Sequence, residues 1–305
     1  MRSRPTGTGS RGHRPSAVAA SLALVAGGIV VRGEELRPPE EERFQQDVAW
    51  SPDGRWIAYS EYDGGEDYDP TRWAVWVARV DGTDARRIAT EAVWVTWSPD
   101  GDHLAYGTGP RGSRDIHRAA ADGSGKAPLT DHPADDFIPA FSPDGRHLAF
   151  CSDRDGNVEL YRLDLEDGSL LRLTDDPAAD YNPVWSPDGR EIAFFRESGD
   201  ARDQIWVVAA DGSSERPITR AGHNVFPAYL RDGRIAFVAS AGGDAPAAVV
   251  HVAPDGSDRV TREDLPGFFA RWSPVGRRVA FIAGHWPRSA IYVRDADGAT
   301  AKLVN

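Results

Sequence analysis

Cysteine occurs once in the 305 residues, as Cys151. A single thiol cannot form an internal disulfide, so an apolar core and hydrogen bonds have to hold the fold together. No cysteine lies directly after the apolar run near the N-terminus, which argues against a lipoprotein anchor. The chain is therefore not a small disulfide-stapled domain.

Positive charge is also scarce. The chain has 35 Lys and Arg residues against 47 Asp and Glu, a formal net charge of −12. Five of the basic residues precede residue 33, so the remainder of the chain is more acidic still. Such a surface repels phosphate backbones, and we expect no nucleic-acid partner.

Recognisable catalytic and cofactor motifs are missing. The chain has no Gly-x-Ser-x-Gly nucleophile elbow and no α/β pattern that would carry one. Gly123-Ser-Gly-Lys126 lacks the spacing of a phosphate-binding loop, and the eight histidines show no HExxH pattern. We therefore expect no cofactor, and the sequence favours a binding protein over an enzyme.

A repeat dominates what is present. An aromatic residue followed by Ser-Pro-Asp-Gly, or by a close variant, recurs every 43 to 47 residues. The six aromatic anchors are Trp50, Trp97, Phe141, Trp185, Tyr229 and Trp272. A period of this length indicates stacked copies of one supersecondary unit.

Each unit divides into four short strands. The Ser-Pro-Asp-Gly turn separates the first strand from an apolar second strand, and an Asp-Gly hairpin turn closes the third. Six such units predict an all-β fold, a six-bladed β-propeller of four-stranded antiparallel blades. We expect the propeller within residues 34–305, with blades near 44–90, 91–130, 136–174, 180–219, 224–261 and 267–305.

Proline indicates which strand lies innermost. Pro139, Pro183 and Pro227 each lie two residues before an anchor, inside the first strand of a unit. Because proline has no N–H to donate, one edge of that strand should be unpaired, as it is along a central channel. The anchors are then expected to wedge between neighbouring blades.

Residues 1–33 are interpreted as a signal peptide or an N-terminal anchor. Arginines precede an apolar run at 17–31, which is short for a membrane-spanning helix. Val25-Ala26-Gly27 offers a small-residue cleavage site, and residues 34–44 are expected to form a tether or to pair at the edge of the ring. We expect an exported monomer that is periplasmic, secreted or held at the envelope by an N-terminal membrane tether.

Two segments carry a resemblance to a known family. Residues 180–189 and 151–161 are similar to the repeat of the TolB-like six-bladed propeller superfamily, and the similarity extends over residues 44–305 and all six repeats. The resemblance implies the propeller fold. The same repeat occurs in binding proteins and in the non-catalytic propellers of prolyl-oligopeptidase-type peptidases, so the resemblance leaves the function open.

Candidate binding residues are predicted on the face opposite to the repeated turns, where the loops differ between blades. The loop at 60–72 of blade 1 adds Tyr62 and Tyr68 among acidic residues; it is either a lip for a partner or a solvated insertion. The connections between blades bring aromatic and acidic residues to the channel mouth. These residues are Trp94, Asp136, Phe137, Asp180, Tyr181, His223, Phe226 and Phe268.

The favoured hypothesis is an exported, non-catalytic scaffold that recognises a protein or peptide at this face. One alternative is a metal-assisted enzyme centred on the channel, a lactonase, lyase or glycan hydrolase with Asp136, Asp180 and His223 around a divalent ion. In another, those aspartates cap turns through backbone bonds. A third alternative is an accessory propeller of a peptidase or a transporter.

Overall fold

The computed structural model describes residues 30–31, 34–35, 44–64, 69–198, 202–240, 247–262, 268–276, 278–285, 288–295 and 297–303. Strands and turns make up nearly all of this part, with one 3-10 turn at Pro70–Arg72. The predicted signal or anchor segment lies almost wholly outside the described residues.

Six four-stranded sheets follow one another along the chain, after a short separate pair formed by β1 (Val30–Val31) and β2 (Glu34–Glu35). The strands of blades 1 to 3 are β3 (Phe44–Trp50), β4 (Trp56–Tyr62), β5 (Trp73–Arg79), β6 (Arg86–Thr90), β7 (Ala92–Trp97), β8 (His103–Thr108), β9 (Asp115–Ala120), β10 (Ala127–Pro128), β11 (Asp136–Phe141), β12 (His147–Ser152), β13 (Glu159–Asp164) and β14 (Leu170–Arg172).

The strands of blades 4 to 6 are β15 (Asp180–Trp185), β16 (Glu191–Arg196), β17 (Gln204–Ala209), β18 (Glu215–Pro217), β19 (His223–Tyr229), β20 (Ile235–Ser240), β21 (Ala248–Val252), β22 (Val260–Arg262), β23 (Phe268–Trp272), β24 (Arg278–His285), β25 (Arg288–Asp295) and β26 (Thr300–Lys302). Every sheet is antiparallel and its strands are ordered as in the sequence. The prediction of a six-bladed propeller is confirmed.

The ring closes through the first strands. Each first strand contacts the first strands of both neighbouring blades, and β23 of blade 6 contacts β3 of blade 1. The first strand of each blade is therefore innermost. At the closing seam the Gln45 N–H donates to Ser289 Oγ at 2.9 Å, and the Ile291 N–H donates to Gln45 Oε1 at 3.0 Å. Side chains thus join the last blade to the first.

Two of the aromatic anchors contact the preceding blade, at the seams where the anchors were expected to wedge. The Trp185 indole N–H of blade 4 donates to the Ala140 carbonyl of blade 3 at 3.0 Å, and the Trp50 indole N–H of blade 1 donates to the Arg271 carbonyl of blade 6 at 2.8 Å. Both rings are more than nine-tenths buried. Each therefore combines apolar burial with a hydrogen bond across a seam between blades.

The Ser-Pro-Asp-Gly turn is a hydrogen-bonded unit, as blade 3 shows. Ser142 Oγ donates to Asp144 Oδ1 at 2.6 Å and accepts from the His147 N–H at 2.9 Å. Asp144 Oδ1 also accepts from the Arg146 N–H, and these bonds, led by that from Ser142, lower the pKa of Asp144. Gly145 takes φ +71°, which glycine adopts without a Cβ clash.

These turns and the Asp-Gly turns lie on one face, which we call the turn face. The N–H of Ala121, next to an Asp-Gly turn, donates to the carbonyl of Asp102 in a Ser-Pro-Asp-Gly turn at 2.9 Å. The opposite face, formed by the loops between second and third strands and by the connections between blades, is the variable face. Most turn aspartates are therefore structural.

Each inner strand carries a β-bulge. Its register with the second strand shifts in all six blades, for example between Gln46 and Ala49. In five blades the residue three positions before the anchor has positive φ, and these residues are Asp47, Trp94, Ile138, Asn182 and Phe226. A positive φ is costly for a bulky residue, so the surrounding structure has to maintain it.

The fourth strand of blade 3 ends before the Leu173-Thr174 pair. β14 stops at Arg172. The reason is that Thr174 Oγ1 accepts from the Leu160 N–H at 3.0 Å and donates to Glu159 Oε2 at 2.6 Å. The Thr174 side chain therefore takes the place of a backbone acceptor in the ladder between the third and fourth strands.

Candidate functional site

The predicted mouth residues lie at the variable face, where each inner strand begins. Asp136 and Asp180 are the first residues of β11 and β15, opposite Ser152 and Arg196 at the ends of the second strands. Both aspartates are fully buried. A buried carboxylate needs a partner, and in each blade an arginine supplies it.

Asp136 is held by Arg154. Arg154 Nη2 donates to both carboxylate oxygens at 2.8 Å. The guanidinium also lies 4.9 Å from the ring centroid of Tyr161 and 5.6 Å from that of Phe150. Arg154 comes from the loop after β12, so the pair fixes that loop to the start of the inner strand.

Asp180 is held by Arg196. The guanidinium donates to the two carboxylate oxygens from Nε and Nη2 at 2.7 and 2.8 Å. It also bonds Asp176 at 3.1 Å and Glu215 at 3.0 Å, and stacks 4.5 Å from the Trp206 ring. Burial raises the pKa of Asp180 to about 6, although the bonds from Arg196 oppose that rise.

These pairs differ from the two roles considered for the aspartates, which are capping a turn and holding a metal ion. The side chains bond arginine rather than capping turns through backbone N–H groups. The His223 Nδ1 atom lies 3.5 Å from Asp203 Oδ2, in a different contact from those of Asp136 and Asp180. Within the residues that the structure describes, no group of three or more His, Cys, Asp or Glu is placed to hold a metal ion.

The mouth aromatics form a continuous arc instead of an open ring. Trp94 and Phe137 have centroids 5.3 Å apart, and Phe137 and Tyr181 are 6.4 Å apart. Phe195 then links Tyr181 at 5.5 Å to Phe226 at 5.7 Å. Trp94 is half-buried and the other four rings are buried, so the arc is mainly packing between blades.

Phe195 was missed because it belongs to a second strand. It follows Phe194 within β16, and its ring reaches the seam between blades 4 and 5. The repeated Ile-Ala-Phe pattern ends at Phe194. The additional aromatic residue after it could have identified Phe195 from the sequence.

The remaining predicted residues lie apart from this arc. Tyr62 is fully buried, 5.3 Å from the Trp73 ring, and its hydroxyl accepts from the Asp69 N–H at 2.6 Å. It therefore supports the blade 1 loop from inside. Tyr68 lies outside the described residues. Phe268 begins β23, but its side chain is not among those described.

Exposed carboxylates are concentrated on the variable face near blade 3. They are Asp131, Asp153, Asp155 and Asp175. Arg172 bonds Asp175 at 2.6 Å and lies 3.7 Å from Asp155, whose other contact is the Tyr161 hydroxyl. One arginine thus organises two of these acids, and the patch keeps an excess of negative charge.

A cavity of about 400 Å³ occupies the central channel. All six blades line it, each with the residue one position before its anchor, and four of them also with the residue three positions before it. Among these are Asp47 from blade 1 and Arg271 from blade 6. Burial raises the pKa of Asp47 to about 7 and lowers that of Arg271 to about 10, while the attraction between the two opposes both shifts.

The sequence reasoning missed this charged pair because it searched the channel mouth alone. The signal was present in the aligned repeats. One position before the anchor, the other five blades have Ala49, Thr96, Ala140, Val184 and Ala228 where blade 6 has Arg271. Three positions before the anchor, Asp47 is the one ionisable residue.

No helix among the described residues has the length and apolar character needed to cross a membrane.

Comparison with known proteins gives a consistent fold. The family described as the TolB beta propeller domain matches residues 45–220. TolB from Acinetobacter baumannii is 22% identical with a TM-score of 0.64, covering 86% of this chain and 63% of its own. This chain therefore spans less than two thirds of that protein. Putative TolB from Agrobacterium tumefaciens is 25% identical with a TM-score of 0.64, covering 83% and 90%.

An enzyme has a similar fold. Oligogalacturonate lyase from Vibrio parahaemolyticus is 17% identical with a TM-score of 0.58, covering 84% of this chain and 76% of its own. At this identity the similarity concerns the fold alone. None of the curated protein sequences matches the chain significantly.

Proposed function

The chain belongs to the TolB beta propeller domain family, and from this premise we propose that it is a non-catalytic scaffold that recognises a protein or peptide at its variable face. The observation that carries the proposal is the way the variable loops are held. Buried arginine pairs fix their bases, while the loop tips expose carboxylates. Rigidly held polar loops favour recognition, because little ordering entropy is lost on binding.

Charge indicates the kind of partner. The exposed carboxylates near blade 3 outnumber the arginine that contacts two of them, Arg172. A segment with Lys or Arg side chains would find complementary charge there, and long-range attraction would accelerate its association. The proposed partner is therefore a protein or peptide with a basic segment.

The proposed setting is the cell envelope. Support comes from the basic N-terminal segment followed by the apolar run at 17–31. We propose that residues 1–33 direct export or remain as a tether, and that residues 34–305 form one monomeric propeller. Mass spectrometry of the N-terminus of the protein recovered from cells tests cleavage, because an uncleaved tether retains Arg2.

The enzyme alternative lacks a supporting observation at the residues proposed for it. Asp136 and Asp180 each bond an arginine through both oxygens, and a metal ion would have to displace these bonds. Similarity to a lyase below 25% identity adds nothing beyond the fold. The accessory-propeller alternative is a form of the same binding role.

The test is a matched pair of triple variants used as bait for envelope proteins. The variable-face triple is Asp131→Asn, Asp153→Asn and Asp175→Asn. The turn-face triple is Asp84→Asn, Asp102→Asn and Glu166→Gln, which removes the same charge from exposed residues on the other face. A partner recovered by wild type should be lost with the first triple and kept with the second. Equal recovery by both triples would contradict the proposal.

A further inference from the structure

The channel contains two charged side chains in an otherwise uncharged wall. Asp47 and Arg271 lie in successive layers of the wall, on the adjoining blades 1 and 6. Small side chains occupy the Arg271 layer in the other blades, and the cavity lies between these inner strands. The cavity of about 400 Å³ is within the size range of small-molecule sites, roughly 300–1,000 Å³.

Polar atoms on this wall lack partners. Asp47 Oδ2, the Trp97 indole nitrogen and the Tyr229 hydroxyl are buried and form no hydrogen bond within the described residues. All three residues line the same cavity. These atoms have almost no accessible surface, so they lie in dry contacts around the cavity, and a ligand has to bind to the exposed parts of the wall.

Aromatic rings make up much of the remaining wall. They are Trp50, Trp94, Trp97, Trp185, Tyr229 and Trp272. Indole faces attract cations, most strongly when the cation is poorly hydrated, as a quaternary ammonium group is. Beside Asp47 these rings form a setting for a cation, whereas Arg271 provides a partner for an anion.

We propose that the channel binds a small zwitterion of the betaine type, in which a quaternary ammonium group and a carboxylate are joined by a short linker. The ammonium group lies among the indole rings next to the Asp47 carboxylate. The ligand carboxylate accepts hydrogen bonds from the Arg271 guanidinium. This role goes beyond recognition at the variable face and does not depend on it.

Neutral and singly charged ligands fit the wall less well. A cation without a carboxylate would bring a second positive charge into the channel beside Arg271. An anion without an ammonium group would bring a second negative charge into the channel beside Asp47. A zwitterion adds no net charge and offers each wall residue its opposite, so binding requires both ligand charges together.

The test uses the full chain at pH 8, where Asp47 is ionised. The probes are glycine betaine and γ-butyrobetaine, which differ in the spacing of their charges. The comparators are choline, which lacks the carboxylate, and pivalate, which lacks the ammonium group. Binding is measured by calorimetry and by the change in tryptophan fluorescence, since indole rings line the cavity. At least one betaine is expected to bind about tenfold or more tightly than either comparator.

Variants then locate the site. Asp47→Asn and Arg271→Gln should each weaken betaine binding by about tenfold or more, because each removes a charge-assisted contact. Asp102→Asn and Arg87→Gln make the same chemical changes at exposed positions outside both proposed sites and should leave it unchanged. Circular dichroism melting confirms that each variant is folded.

Three results would overturn the proposal. If choline or pivalate bound as tightly as the betaines, the site would not recognise the two ligand charges together. Betaine binding that survives Asp47→Asn and Arg271→Gln would place the ligand elsewhere. Failure of both betaines to bind wild type would show that Asp47 and Arg271 only neutralise one another.

Discussion

Arg196 is the common partner of three carboxylates in and beside blade 4, of which Asp180 is fully buried. It bonds Asp180, Asp176 and Glu215, and it is itself buried. In isolation a buried ion pair contributes little net stability, because both ions lose their hydration. Removing one partner is different, since the other charge is then left buried and alone.

Arg196→Ala is therefore expected to lower the free energy of unfolding by about 3–5 kcal/mol. Urea denaturation followed by tryptophan fluorescence measures this free energy of unfolding. Arg87→Ala, at an exposed arginine, is the control and should change the free energy by less than about 0.5 kcal/mol. Equal midpoints for wild type and Arg196→Ala would show that Asp180 does not depend on this arginine.

Asp47 makes stability depend on pH. Its pKa is about 7 in the folded protein and near 3.8 when exposed, mainly because of burial. The folded state therefore binds this proton more tightly than the unfolded state, and ionisation destabilises the fold as the pH rises from about 4 to 7. The Arg271 charge and the groups of Trp94, Ser60 and Gln46 that face the carboxyl oppose the effect.

Asp47→Asn should remove this part of the pH profile. We expect the stability of wild type, relative to the variant, to decrease between pH 5 and pH 8. Urea midpoints at both pH values, determined for the two proteins in parallel, give the difference directly. Other buried carboxyls such as Asp180 titrate in both proteins and cancel. Parallel profiles would mean that Asp47 is ionised at pH 5.

At the scale of the strand, the repeat could be predicted closely from sequence. The Ser-Pro-Asp-Gly turns and Asp-Gly hairpins specify strand order, because Ser142 and Asp144 and their equivalents bond their own backbone. The end of the fourth strand was less predictable. Thr174 lies two residues after the end of β14, yet it bonds β13 through its side chain, and the local sequence pattern does not distinguish this from a longer strand.

Thr174→Val tests that side-chain bond at nearly constant volume. Loss of the hydroxyl leaves the Leu160 N–H and the buried Glu159 without this partner. The expected cost is about 1–3 kcal/mol of unfolding free energy. Thr261→Val, at an exposed threonine of β22, is the matched control. The bond is unimportant if chemical denaturation gives the same midpoint for both variants.

The anchor aromatics wedge the blades apart, and Trp185 provides the test. Trp185→Ala removes a buried ring and the hydrogen bond to the Ala140 carbonyl. We expect a loss of about 3–5 kcal/mol, the usual cost of truncating a buried aromatic residue. Equilibrium urea unfolding measures the change. A midpoint equal to that of wild type would remove the wedging role.

The candidate site was less predictable than the strands. Sequence alone places Asp136 and Asp180 at equivalent positions of neighbouring repeats, and it placed them at the correct face. Their arginine partners come from a loop and from a second strand, and only the fold brings them together. Tyr62 was predicted to lie at a loop surface, but its ring is buried in the fold.

At the scale of the whole molecule, six nearly equivalent blades surround two unique features. One is the acidic patch of the variable face, and the other is the charged pair within the channel. They lie in different parts of the propeller and are proposed to bind different ligands. The acidic patch binds a basic peptide, and the channel binds a small zwitterion. Mutations at one are expected to leave the other intact.

The closing seam has a consequence for how the chain can be cut and rejoined. The N–H groups of Asp136, Asp180 and Asn224 each donate to a carbonyl of the preceding blade, and that of Gln45 donates to the side-chain hydroxyl of Ser289 in blade 6. Among the described residues, every blade takes its four strands from one continuous stretch of the chain. The ring thus has no privileged starting point, and circular permutation at any blade junction should preserve the architecture.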